Sequence, residues 1–115
     1  MIQIKRAYEQ PSPTDGMRYL VDRLWPRGLT KQDLHVNEWV KELGPSNELR
    51  SWFGHKPERW RSFLSKYFHE LDQKQTYWEP LLKKAKRHHV TLVYGAKDTE
   101  HNNAEAIKQY LDSKS

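Results

Sequence analysis

The sequence of 115 residues predicts a small α/β domain, with a mainly parallel sheet of about three strands and four to five packing helices in a single domain over residues 1–115. Three observations carry that expectation. Strand-like segments open the chain and recur near its end, and a long stretch of helical periodicity lies between the second and the third of them. Five Trp and six Tyr supply aromatic area for one core, and the length leaves almost nothing for a second. The helical excursion is long enough for a right-handed parallel crossover that lays helices on the sheet, while the order of the strands is not legible.

Ile2, Ile4 and Tyr8 alternate with polar Gln3 and Lys5, the period of a half-buried strand. Pro11, Pro13, Asp15 and Gly16 then make a turn cluster. Tyr19-Leu20-Val21 reads as a second strand covered on both faces. From Asn37 the apolar spacing shifts to three and four, and the segments as far as His89 read as helix. Trp39, Val40 and Leu43 form one short stripe stopped by Gly44-Pro45, and Ser46 caps a second helix bearing Leu49, Trp52 and Phe53 that ends at Gly54. Pro57 starts a third, striped by Trp60, Phe63, Leu64, Tyr67, Phe68 and Leu71.

A fourth helix carries Trp78, Leu81, Leu82 and Ala85, with Thr76 and Glu79 spaced as a capping box and Pro80 expected in its first turn. Lys83, Lys84, Lys86 and Arg87 crowd its end, where they complement the helix dipole and read as a solvated face. Val90 to Tyr94 is a β-branched buried strand, and Asn102 with Glu105 begins a last helix built on Ala104, Ile107 and Leu111.

No cysteine is present, which removes disulfides, thiolate nucleophiles and Cys-ligated metal centres together. The first residues lack an apolar leader core and no membrane-length apolar run occurs, so a cytoplasmic protein is the expectation. The six histidines include no pair at ligand spacing, and no metal or cofactor is expected. The phosphate loops G-x-G-x-x-G and G-x-x-x-x-G-K-[ST] and the G-x-S-x-G elbow are all absent. A net charge of +5 favours anionic partners: a nucleotide, nucleic acid or a phosphorylated metabolite.

In open α/β sheets ligands collect beyond the carboxyl ends of the strands, which directs attention to the residues after Val21 and Val93. The first place holds Asp22-Arg23-Leu24-Trp25-Pro26-Arg27-Gly28, where Arg23 and Arg27 can clamp a phosphate or carboxylate and Trp25 can stack on a base. The second holds Tyr94-Gly95-Ala96-Lys97-Asp98, with Asn102 at the following helix start. Residues 54–61 form another basic and aromatic cluster near Ser46 and Arg50, with His55 a candidate general base. Loop bracing explains Asp22, Arg23 and Asp98 about equally well, and core packing is the stronger reading for Trp25.

The stretch at 22–28, together with Pro45-Ser46, Leu49 to Phe53, Trp60 to Phe63, Tyr67, Glu70-Leu71, Val90 to Leu92, Ala96 to Asp98 and Asn102, resembles the YeaO-like family of uncharacterised proteins, domain of unknown function 488. The similarity runs from about Ile4 to Leu111 and implies a single α/β domain without implying an activity. Longer relatives carry a cysteine near the end of the last strand; this chain has Tyr94 in that region, so a thiol mechanism is not expected. The polar residues that the resemblance singles out are Asp22, Arg23, Arg27, Ser46, Arg50, Lys97, Asp98 and Asn102. The leading expectation is an anion-binding cleft over residues 22–27 and 94–102. Acid–base catalysis there by Asp22 or Asp98 with Tyr94 or Lys97 is the alternative, and a helix-turn-helix-like DNA module over 37–53 is the third reading.

Overall fold

The computed structural model describes residues 1–115. Strand β1 (Ile2–Arg6), β2 (Met17–Leu20), β3 (Glu38–Trp39) and β4 (Val90–Tyr94) form one sheet in the order β1-β4-β2-β3, with every pairing parallel. The apolar run of β4 has its physical reason here: it is central, paired on both edges, and buried at all five residues. Beyond the regular ladder, Ala7 N–H donates to Tyr94 O at 2.6 Å and Val21 N–H to Val93 O at 3.1 Å, so both neighbours follow β4 to its carboxyl end.

The sheet has four strands rather than about three. Asn37 to Trp39 read as helical, but the backbone N–H of Asn37 donates to Arg18 O at 2.7 Å and the Asn37 side chain takes the Arg18 N–H at 2.8 Å. Val40 N–H then donates to Leu20 O at 2.8 Å. Pairing with the edge of β2 uses donors that a helix would have needed, and only a single 3-10 turn, Lys41–Leu43, follows. The helix-turn-helix-like arrangement considered for 37–53 is therefore absent.

Helix α1 (Lys31–Leu34) is short and held by a reciprocal cap between Thr30 and Asp33. Helix α2 (Asn47–Phe53) begins as expected on Ser46, whose Oγ accepts the Leu49 N–H, and ends on left-handed Gly54. A 3-10 turn at Pro57–Arg59 leads into α3 (Trp60–Asp72), which buries Phe63, Tyr67 and Leu71. Helix α4 (Gln75–Ala85) starts without a side-chain cap, so Pro80 lies inside it and not in its first turn. Helix α5 (Asn103–Asp112) is capped by Asn102, whose side-chain oxygen accepts the Glu105 N–H at 2.8 Å.

Alternation along the strands divides the core. Ile2, Tyr19, Val90, Leu92 and Tyr94 join the buried side chains of α2 to α5 in one large cluster. Leu20 and Val93 turn the other way and pack with Ala7 and Leu34, beside Trp25 and Leu29. Thr91 also points away from the large cluster, into a polar knot. Its hydroxyl donates to Asp15 O at 2.7 Å and accepts from Gln3 at 2.8 Å, while the Asp15 carboxylate receives Arg18 at 2.6 Å and Lys5 at 3.0 Å. This knot ties the turn before β2 to the two longest strands.

Candidate functional site

A cleft of about 540 Å³ opens beyond the carboxyl ends of β2 and β4 and is walled on its far side by α2 and α3. Asp22, Arg23, Trp25, Arg27, Arg50, His55 and Asn102 line it, so the structure brings seven of the sequence-derived candidates to one place. Ser46, Tyr94, Lys97 and Asp98 do not line it. Ser46 is committed to α2: besides capping the helix, its hydroxyl and N–H donate to the Glu70 carboxylate at 2.6 and 2.9 Å. Tyr94 sits in the large core, where burial pushes its phenol above the ordinary value of 10.0, with Glu9 adding to the effect.

Asp22 forms the floor between the strands. Its Oδ2 accepts the Gly95 N–H at 2.8 Å, and an added Cβ on Gly95 would stand 3.1 Å from that oxygen, so the glycine permits the close approach. Burial pushes the carboxyl above 3.8, against the pull of the Gly95 and Asn103 hydrogen bonds and the Arg50 charge. The Asn103 amide also donates to Val21 O at 2.9 Å and so extends the α5 start to the end of β2.

Arg23 is half bracing and half available. Its Nε and Nη2 donate to Pro45 O and Gly44 O at 3.0 and 2.7 Å, fixing the loop after β2 to the loop before α2. Gly44 is required there because a Cβ would lie 2.7 Å from the Arg23 backbone nitrogen. Trp25 is similarly occupied, donating from Nε1 to Leu29 O at 2.6 Å and meeting Trp39 edge-on at 5.4 Å between centroids. Arg27 is exposed and takes part in no ion pair, whereas Arg50 holds Asn47 through Nη2 and keeps a buried Nε with no partner.

Sequence reasoning missed His101, Asn103, Ser51 and Phe63, all of which line the cleft. Asp98 stands behind His101, with Oδ2 at 3.0 Å from the ring Nδ1, and its Oδ1 accepts the N–H groups of Glu100 and His101. Those two N–H bonds, then His101 itself, hold the Asp98 carboxyl below 3.8. The His101 ring is also pinned edge-on to Trp60 at 5.3 Å. The available signal was the three-residue spacing of Asp98 and His101 just ahead of a helix cap. His55, the candidate base, does line the cleft and adopts a left-handed backbone with φ 56°. Three arginines and two histidines thus face a single lining carboxylate, Asp22.

The whole chain, residues 1–115, matches the family model described as the inactive DUF488-N3 subclade. The chain belongs to this family. Among relatives of this DUF488-N3 chain, the uncharacterized protein YeaO of Escherichia coli (strain K12) is 43% identical over 112 residues, covering 97% of each chain. The uncharacterized protein Rv3073c of Mycobacterium tuberculosis and Mb3100c of Mycobacterium bovis are each 39% identical over 113 residues, spanning 98% of this chain and 95% of theirs. No solved structure matches the chain.

Proposed function

We propose that this DUF488-N3 protein is a non-catalytic binder of a small phosphorylated ligand, a nucleotide or phosphometabolite, held in the cleft beyond β2 and β4. The observation that carries the reading is the excess of guanidinium over carboxylate: Arg23, Arg27 and Arg50 line the cleft with only Asp22 to offset them, and the buried Nε of Arg50 has no protein acceptor. A phosphate oxygen supplies that acceptor, and the fork of an arginine matches a phosphate edge. Exposed Leu24, with half-buried Trp25 and Ala96, gives the cleft an apolar surface for the rest of the ligand, and the volume is in the range of small-molecule sites. The description of the subclade as inactive agrees with binding without turnover.

Titration calorimetry with inorganic phosphate and nucleoside monophosphates tests the reading. Arg50→Gln and Arg27→Gln should each weaken binding about tenfold, the cost of one charge-assisted hydrogen bond. Unchanged affinity in both variants would remove the site. The Asp98–His101 pair favours a second reading, acid–base catalysis with His101 as the proton-transferring group and Asp98 orienting it. It requires turnover that His101→Gln abolishes while ligand affinity survives.

A further inference from the structure

The opposite end of the sheet carries a second, unrelated concentration of positive charge. Lys83, Lys84, Lys86, Arg87, His88 and His89 fall within seven residues at the end of α4, and all six are exposed. Four of them, Lys86 to His89, line a groove of about 500 Å³ with Met1, beside the starts of β1 and β2. Of the six, only Lys83 meets a carboxylate, Glu79 at 3.6 Å.

Helix capping does not account for this cluster. The carbonyls at the end of α4 are already used: Lys83 O accepts from Lys86 N–H, Lys84 O from Arg87 and His88 N–H, and Ala85 O from the Met1 ammonium at 2.8 Å. No side chain from Lys83 to His89 donates to them. Nor is the cluster a loose basic tail. His89 O accepts the Met17 N–H at 2.9 Å, Val90 N–H donates to Met1 O at 3.0 Å, and Gly16 approaches so closely that a Cβ there would stand 2.2 Å from His89 O. The charges are therefore mounted on backbone that is fixed before any partner arrives, which lowers the ordering cost of binding.

We propose that this groove binds the phosphate backbone of duplex nucleic acid without reading its sequence. No Phe, Tyr or Trp lines the groove, so single-stranded bases have nothing to stack on, and a row of cations on a rigid turn suits regularly spaced phosphates. A membrane surface fits less well, because Met1 is the single large exposed apolar side chain in the groove. The site is independent of the cleft: Arg23, Arg27 and Arg50 take no part in it.

The test is fluorescence anisotropy with a labelled short duplex DNA of random sequence, titrated between about 50 and 200 mM salt. The double variant Lys86→Gln, Arg87→Gln, at the lysine and arginine that line the groove, should bind at least about tenfold more weakly and lower the log–log salt slope by roughly 1.8, at about 0.9 per lost phosphate contact. Arg61→Gln, at an exposed cation that lines neither the cleft nor the groove, should leave the curve in place, and an unchanged melting temperature shows that the exposed double variant is folded. The proposal is overturned if the wild type does not bind at the lowest salt, if the double variant keeps the wild-type slope, or if vesicles containing phosphatidylserine are bound and the duplex is not.

Discussion

Replacing Asp15 by Asn isolates the energetic weight of the polar knot beside β2. The carboxylate is 4% exposed and meets two cations of unequal freedom. Arg18, 5% exposed, is held by Asp15 at 2.6 Å and by Leu34 O and His35 O at 2.8 and 3.1 Å, and cannot turn to water. Lys5, at 18%, keeps Gln10 O at 2.9 Å and can reach solvent. Removing one member of a buried ion pair costs about 3 to 5 kcal/mol, and the escape of Lys5 places this case near the low end, about 3 kcal/mol. Urea unfolding reads it: with a slope of about 2 kcal/mol/M, the midpoint should fall by about 1.5 M. A fall of less than about 0.5 M would show that Arg18 finds solvation elsewhere and that the knot is not a buried network. The acid limb supplies a second reading. Burial alone would raise the Asp15 carboxyl, but the Ser12 N–H, Lys5 and Arg18 outweigh it and hold it below 3.8. A depressed carboxyl stabilises the fold above 3.8, and that contribution is lost as pH falls through the folded-state value, so the Asn variant should lose less stability than the wild type on acidification below 3.8.

Gly16→Ala places a Cβ 2.2 Å from His89 O at a φ of +66°, and should lower stability by about 2 kcal/mol or more in a thermal melt; an unchanged melting temperature would mean that β4 can shift away from the turn. Asp22→Asn removes the only carboxylate lining the cleft and should tighten phosphate binding several-fold in calorimetry. Because burial raises the Asp22 carboxyl in the folded state, its ionisation disfavours the fold at neutral pH, so the same variant should be as stable as the wild type or more so above the folded-state value, and the difference should vanish below 3.8, where both forms are neutral.

The sequence disclosed those parts of the fold that depend on neighbours three or four residues away. The stripe of α3, the Ser46 and Asn102 caps and the Gly54 stop each declare themselves within one turn, and each is where the spacing put it. Strand β3 was hidden because two residues carry no period of their own; Glu38 and Trp39 are extended because the edge of β2 lies beside them. Pro80 misled for the reverse reason: proline at the first turn is a preference, and tertiary packing of Trp78 and Leu81 overrides it. Within the cleft, the position after β2 was legible from the strand-end rule, but the side to which Tyr94 points depends on which face the helices cover. The Asp98–His101 pair needed the turn geometry that joins them.

The central place of β4 also fixes the order in which the molecule can assemble. β1 and β2 share no pairing with each other: β1 pairs only with β4, and β2, apart from its two-residue pairing with β3, is joined to the rest of the sheet only by β4, some seventy or more residues later along the chain. β1 has no pairing partner before β4, so the four-stranded sheet is complete only once β4 lies between β1 and β2. Such a dependence on distant contacts makes folding slower than in a helical bundle of equal size and makes any break between β2 and β4 costly. It also means that the two halves of the cleft, contributed from either side of that insertion, come into existence at the same moment as the fold.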